Sequence, residues 1–254
     1  MSRPLRRHAI LFLAVALTVP ACMSSAKRLA LEREKDPQYQ FDKAALCLQY
    51  NMVDEAFKYI DQSLALNPRF FPALNLRGLA LMMKGRIPES IQALQACLDI
   101  NPLFSEGWNN LATAYDQSGR KRDAVASWSK AYEIDQNYNA AYNLAKNDYE
   151  NDHFDAALDW IRKAIAKYPK SVLAFNLEGL IYDAREDYND AINSFQQAIR
   201  LSPTELNVQY NLAVTYYKKK DYGKARELLE KILLQAKDDL RIRAEDLLKR
   251  LPRL

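Results

Sequence analysis

The chain has 254 residues, with 36 lysines and arginines against 32 aspartates and glutamates, which gives a formal net charge of +4. Three of the arginines lie in the first 21 residues, which contain no acidic residue, so the rest of the chain is almost neutral. This balance argues against a nucleic-acid-binding class of protein. A chain of this length can bury a sufficient core without disulfide or metal staples.

The N-terminus has the pattern of a bacterial export signal. Three arginines precede an uncharged apolar run from Ala9 to Val19, and Pro20-Ala21-Cys22 follows. The run is too short to span a membrane as a mature helix. A small residue directly before a cysteine resembles a lipobox, in which the cysteine is acylated and becomes the new N-terminus. We therefore expect residues 1–21 to be a lipoprotein signal peptide and Cys22 to be lipidated; the alternative is an ordinary signal peptide with an incidental Cys22.

The residues after Cys22 predict where the protein is held. In lipoproteins with this kind of signal, aspartate after the cysteine retains the protein in the inner membrane, whereas the residue here is Met23. By that analogy we expect an outer-membrane protein, anchored by acyl chains on Cys22 and facing the periplasm. Residues 22–36 are expected to form the lipidated N-terminus and a tether, which after Cys22 reaches roughly 40 Å when fully extended.

Residues 37–237 contain an internal repeat of about 34 residues. One column of small residues recurs at intervals of 34, 34, 33, 34 and 34. Its members are Ala44, Gly78, Ala112, Ala145, Gly179 and Ala213. The shortened interval falls in the loop around Gln136. Left-handed C-cap residues are expected between the paired helices at Asn51, Gly85 and Gly119.

The third repeat carries the fullest set of motif residues, and these resemble the tetratricopeptide repeat. They are Trp108, Leu111, Ala112, Tyr115, Ala124, Trp128 and Ala131. The resemblance covers about four fifths of the chain. It implies an all-α fold, a right-handed superhelical solenoid of six helix-turn-helix pairs. Small residues allow the two helices of each pair to approach closely, and large residues fill the wider gaps.

The last segment, residues 238–254, is predicted to be a capping helix. Apolar residues continue with helical spacing through a stretch that is otherwise charged. A helix with one apolar face covers the end of a repeat stack and presents its polar face to water. The apolar positions are Leu240, Ala244, Leu247, Leu248 and Leu251.

The sequence contains no recognisable catalytic chemistry. No phosphate-binding loop and no nucleophile elbow is present. Cys47 and Cys97 lie at packing positions, and we interpret them as buried small apolar residues rather than as a disulfide. His153 lies in a turn without a second metal-ligating residue of its kind. We interpret the protein as a non-enzyme, without metal, cofactor or small-molecule substrate.

The resemblance implies that the first helix of each repeat lines a concave groove. The positions of these helices that do not pack are rich in asparagine and tyrosine. The asparagines occupy two consecutive positions of the repeat, which we call the two registers. Amide side chains both donate and accept, so they can hold the backbone of an extended peptide, and tyrosines add contact area. The predicted partner-binding residues are Asn75, Asn109, Asn110, Asn143, Asn176, Asn211, Tyr142, Tyr149, Tyr210 and Tyr217.

The second repeat differs from the others in polarity. It has Leu79, Met82 and Met83 at positions where the third repeat has polar residues. Methionine adapts its shape to different apolar contacts. We predict an apolar patch at these three residues.

A lipobox followed directly by six tetratricopeptide repeats and a cap resembles the type IV pilus biogenesis lipoproteins of the PilF, PilW and Tgl kind. That resemblance implies a pilotin, an outer-membrane lipoprotein that helps secretin subunits to localise and assemble. The implied partner is a secretin subunit or its peptide segment. Two alternatives remain open: a periplasmic adaptor lipoprotein that organises peptidoglycan hydrolases, proteases or another envelope complex, and an enzyme whose site the sequence hides.

Overall fold

The computed structural model describes residues 25–252, and this part of the chain is helical without any strand. The expected signal peptide and Cys22 lie outside the described residues. The helices are α1 (Ser25–Arg33), α2 (Pro37–Gln49), α3 (Val53–Leu66), α4 (Phe71–Met83), α5 (Ile87–Ile100), α6 (Ser105–Gln117), α7 (Lys121–Asp135), α8 (Tyr138–Glu150), α9 (Phe154–Lys167), α10 (Val172–Ala184), α11 (Tyr188–Leu201), α12 (Leu206–Lys218), α13 (Tyr222–Leu233) and α14 (Asp238–Arg250). Among these helices none is long and apolar enough to cross a membrane.

The helices from α2 to α13 form six packed pairs, which we number as repeats 1 to 6. The chain divides into two compact units, the first ending at Asn101 and the second beginning at Pro102. The first unit holds repeats 1 and 2, and the second holds repeats 3 to 6 followed by α14. The predicted all-α fold of paired helices is confirmed.

Close approach within each pair depends on the columns of small residues. Ala44, Ala112, Ala145 and Ala213 have no solvent exposure. A Cβ atom added to Gly179 would lie 2.6 Å from the Cε1 atom of Phe195, a fully buried ring on the second helix of the same repeat. Such a distance is too short for a carbon contact, so the phenylalanine occupies the space that the missing side chain leaves free.

The turns between paired helices use left-handed residues throughout. Asn51, Gly85 and Gly119 have φ angles of 58°, 71° and 79°, as predicted. In repeats 4 to 6 the same turn is made by non-glycine residues with positive φ. These are Asp152, Glu186 and Lys220. Gln136, in the shortened loop, also has a positive φ of 56° and caps α7.

The segment before the first repeat is partly helical, which differs from the fully extended tether considered above. Helix α1 has nine residues, and a helix of that length spans roughly 13 Å at about 1.5 Å per residue. The following turn is held against repeat 1. Buried Gln40 donates through Nε2 to the backbone carbonyl of Glu34 at 2.8 Å and to its carboxylate at 2.7 Å. Lys43 adds an ion pair to the same carboxylate at 3.2 Å.

Helix α14 packs against α13 and α12. Its residues Ala244 and Leu247 are buried, as is Leu251, which follows the helix. They share one core with Leu229 and Ile232 of α13. The apolar stripe of the C-terminal segment therefore covers the last repeat as predicted.

We predict opposite effects for two glycine-to-alanine substitutions in the second unit. Gly179→Ala should destabilise the fold by roughly 1–3 kcal/mol, because the added methyl group overpacks the contact with Phe195. Gly223→Ala, in helix α13 where the added carbon meets no atom within 4 Å beyond its chain neighbours and its own helix backbone, should be neutral or stabilising by up to about 1 kcal/mol. Chemical denaturation monitored by circular dichroism measures both. Equal stability of the two variants would contradict the close-packing account.

Candidate peptide-binding surface

The first helices of repeats 3 to 6 present one row of side chains each, which together we call the first-helix surface. In α10 the row contains Asn176, Leu180 and Asp183, spaced by four and three residues and hence on one side of the helix. The corresponding residues of α12 are Tyr210, Val214 and Tyr217. Most of these side chains are partly buried and pack against the core of the second unit, so the surface is preformed rather than flexible.

The asparagines of this surface pair across the two predicted registers. Asn143 Nδ2 donates to Asn109 Oδ1 at 3.3 Å, and Asn211 Nδ2 donates to Asn176 Oδ1 at 3.0 Å. Each bond joins the first helices of two consecutive repeats. An amide side chain has two donor hydrogens and two acceptor lone pairs, so each pair keeps capacity for a further ligand.

Burial separates the predicted asparagines into two groups. Asn75, Asn109 and Asn110 are less than a tenth exposed, whereas Asn143, Asn176 and Asn211 are partly exposed. An incoming peptide can therefore reach the second group more readily than the first. Asn75 lies on α4 in the first unit and is therefore not part of the first-helix surface.

All four predicted tyrosines are partly buried and have defined neighbours. The Tyr142 ring stacks on Tyr138 at a centroid distance of 6.2 Å, and Tyr217 lies 5.9 Å from Tyr222. Burial raises the pKa of the Tyr142 phenol. Burial and the carboxylate of Asp183 raise the pKa of Tyr149. Both phenols are therefore protonated near neutral pH and can donate a hydrogen bond to a ligand.

A buried polar network joins repeats 5 and 6, and sequence reasoning missed it. Thr215 Oγ1 donates to Asp183 Oδ1 at 2.8 Å, and Lys218 forms an ion pair with the other carboxylate oxygen. Asp183 is buried, while Lys218 is partly open to solvent. The signal in the sequence was the spacing of Asp183 and Lys218, which is one repeat plus one residue. This spacing places the two residues at neighbouring positions on consecutive first helices.

The cap helix also contributes to this surface. The Arg243 guanidinium of α14 lies 4.9 Å from the centre of the Tyr210 ring and donates to Asn207 Oδ1 at 3.3 Å. The apolar stripe of this segment predicted a cover for the core and gave no sign of this contact. Arg243, which is also ion-paired with Asp239 at 2.9 Å, brings a guanidinium group to the end of the first-helix surface, next to a predicted tyrosine.

The predicted apolar patch of the first unit has a different composition from the one expected. Leu79 is partly buried and packs against the core of repeat 1, and Met82 is also partly buried. Met83 is 48% exposed and lines a cavity of about 470 Å³ together with Met52, which is 50% exposed. Met52 therefore joins Met83 as the accessible part of the patch.

The remaining candidate residues carry no site in the described part of the chain. Cys47 and Cys97 are free thiols, Cys97 fully buried and Cys47 partly buried. His153 is exposed, with Nδ1 3.7 Å from Asp148 Oδ1. Within residues 25–252 no group of three or more metal-ligating side chains could hold an ion.

Stacked helix pairs with a row of polar and aromatic side chains define a helical repeat scaffold for other proteins. A family model described as Tetratricopeptide repeat matches residues 48–103 and 109–172, and a second model of the same description matches residues 184–251. The chain belongs to the tetratricopeptide-repeat family.

Curated relatives share part of their length with this chain. Human Protein O-mannosyl-transferase TMTC3 is 25% identical over 215 residues, which are 82% of this chain and 23% of the relative. Human Superkiller complex protein 3 is 22% identical and covers 71% of this chain and 15% of the relative. The chain thus spans less than a quarter of the length of either protein.

Solved structures of similar fold include two pilus proteins. PilF of Pseudomonas aeruginosa is 21% identical with a TM-score of 0.62, covering 70% of this chain and 84% of that one. PilW, a type IV pilus biogenesis factor, is 14% identical with a TM-score of 0.75, and the match covers 82% of this chain and 98% of PilW. YrrB, a tetratricopeptide-repeat protein with an unusual peptide-binding site, is 17% identical with a TM-score of 0.59, and the match covers 74% of this chain and 97% of YrrB. At these identities the likeness shows the fold alone.

We predict that the buried network contributes more to stability than an exposed ion pair in the same unit. Asp183→Ala should cost roughly 1–2 kcal/mol, because Thr215 keeps only the Asn211 carbonyl as an acceptor and Lys218 loses its ion pair. Asp155→Ala, which removes an exposed partner of Arg185, should cost less than about 1 kcal/mol. Urea denaturation of both variants provides the comparison, and similar losses would show that the network is not a special stabilising element.

Proposed function

We propose that this protein is an outer-membrane-anchored scaffold that binds an extended segment of a protein partner on its first-helix surface. We further propose that it acts as a pilotin, which assists secretin assembly in type IV pilus biogenesis. In this role Cys22 carries the acyl chains, and the repeats face the periplasm.

The paired asparagines carry the peptide-binding part of the proposal. Asn109 with Asn143, and Asn176 with Asn211, recur along the first helices of repeats 3 to 6 and leave amide groups for a ligand. An extended backbone offers alternating donors and acceptors, which such amides hold without selecting a sequence. Leu173, three residues before Asn176 on α10 and hence on the same side of the helix, is an exposed apolar side chain. It provides an apolar contact for the peptide's side chains.

Two observations support the pilotin role. The fold matches most of the length of PilF and PilW, proteins whose names connect them with type IV pili. The N-terminal sequence resembles a lipobox, which fits a protein held at the membrane where a secretin ring assembles. A secretin subunit or a peptide segment of it is the proposed partner, and no catalytic step is part of the role.

We expect loss of lipidation to impair secretin assembly. Cys22→Ala and deletion of the gene in the source bacterium should each reduce secretin multimers, which resist denaturation and are measured by immunoblot. Cys47→Ala, which removes a free and partly buried thiol, is the matched control and should leave multimers unchanged. Normal multimers in both the Cys22→Ala and the deletion strain would refute the pilotin role.

Pull-down of the lipidated protein from solubilised membranes separates the pilotin role from the adaptor role. Recovery of secretin subunits supports the pilotin proposal. Recovery of peptidoglycan hydrolases or proteases without secretin would replace it with the periplasmic adaptor, which uses the same surface for other partners.

The surface itself is tested by the combined Asn143→Ala and Asn211→Ala variant. Affinity for the recovered partner should fall about tenfold or more, because both amide pairs are removed. Asn193→Ala, at an exposed position on α11, should retain wild-type affinity. Isothermal titration calorimetry measures binding, and circular dichroism checks the fold. Unchanged affinity in the double variant would exclude the first-helix surface as the binding site.

A further inference from the structure

The eleventh residue of the first helix is tyrosine in three of the six repeats. These residues are Tyr115 in repeat 3, Tyr182 in repeat 5 and Tyr216 in repeat 6. In repeat 2 the same position holds Leu81.

A cation accompanies the tyrosine in each of the three repeats. The Arg120 guanidinium lies 4.2 Å from the centre of the Tyr115 ring, and Lys224 Nζ lies 5.4 Å from that of Tyr216. Arg162 Nη2 donates to the Tyr182 hydroxyl at 3.0 Å. Tyrosine faces and hydroxyls are natural partners for such cations. The cation comes from a different position each time: Arg120 precedes α7, Arg162 lies on α9 of the preceding repeat, and Lys224 lies in the first turn of α13.

Repeat 2 has an arginine at the position that Arg120 occupies in repeat 3, but it lacks the tyrosine ring. Arg86 precedes α5 as Arg120 precedes α7, and the backbone N–H of each donates to the carbonyl of the eleventh residue at 2.9 Å. The backbone geometry is therefore the same at both sites. Where repeat 3 has the Tyr115 ring beside its arginine, repeat 2 has a cavity of about 530 Å³ lined by Leu81 and Arg86.

The cavity walls are apolar below and charged at the edge. Phe57, Leu74 and Ala93 line it together with Leu81. At the edge, Arg77 pairs with Asp61 at 3.6 Å, and Arg86 donates to Glu89 through Nε at 2.7 Å. Two arginines and two carboxylates balance, so the lining does not favour a ligand with a net charge. A neutral aromatic ring that packs on apolar walls and stacks beside a guanidinium fits this lining.

We propose that this cavity is a second binding site, which takes an aromatic side chain, tyrosine above all, from a partner protein. The partner's ring occupies the place that the protein's own tyrosine fills in repeats 3, 5 and 6. The volume lies within the roughly 300–1,000 Å³ of ligand sites, which accommodates the ring with its flanking backbone. The site belongs to the first unit, is separate from the first-helix surface, and does not depend on the pilotin role.

N-acetyl-L-tyrosinamide is a direct probe of this site on the full chain. Backbone amide NMR shifts should change in α3, α4 and α5 on titration, with a dissociation constant on the order of 1 mM, as expected for so small a ligand. N-acetyl-L-leucinamide should bind at least fivefold more weakly, because it cannot stack on arginine. Equal binding of the two probes, or no shift with the tyrosine probe, would overturn the proposal.

Leu81→Tyr places the protein's own ring in the cavity and should abolish binding of the probe. The substitution introduces the residue that three other repeats already carry at this position, so the fold should be kept, with a melting temperature at or above wild type. Undiminished binding by the folded variant would show that the probe occupies another site.

A second pair of variants tests the arginine without changing the core. Arg86→Gln should weaken binding of the probe about fivefold or more through loss of the stacking cation. Arg120→Gln, at the equivalent position beside an occupied tyrosine, is the matched control and should have no effect on binding. Equal affinities of these two variants would contradict a role for Arg86 and with it the proposed site.

Discussion

Close approach of the two helices in each pair is the constraint on which the rest of the structure depends. It is possible because every repeat has a side chain no larger than alanine at one position of its first helix. Where that residue is glycine, a large partner fills the space: Leu94 lies against Gly78 and Phe195 against Gly179. With the helix pairs packed this closely, consecutive first helices of the second unit lie near enough for Asn143 to contact Asn109 and for Asn211 to contact Asn176. The site is therefore a consequence of the packing.

Polar contacts between consecutive repeats refine this arrangement. The Asp183 carboxylate is satisfied by a hydroxyl and an ammonium group from the next repeat, and Arg243 extends the same surface from the cap helix. Buried polar groups are costly unless they are paired, so these contacts hold the first helices in one geometry. A ligand then meets side chains that are already oriented, which reduces the entropy lost on binding.

Because the repeats share one backbone geometry, each repeat can be compared with the others position by position. Equivalent positions share a backbone geometry, so a residue that differs between repeats changes the local surface and little else. Leu81 in place of tyrosine leaves arginine beside an open cavity, whereas Tyr115 fills the equivalent place. The charge pair at the edge of the cavity also differs between repeats: Asp61 and Arg77 in repeats 1 and 2 correspond to Arg162 and Glu178 in repeats 4 and 5.

The sequence by itself determined the helical class, the 34-residue period, the shortened loop at Gln136 and the apolar stripe of the cap, because these depend on periodicity and on local backbone preference. It also pointed to the asparagines and tyrosines of the first helices. Only the tertiary structure decided which asparagines are buried, that they pair across registers, and that Asp183, Lys218 and Arg243 join the surface. Those features arise between residues about 34 positions apart, where the direction of each side chain depends on packing that periodicity does not encode.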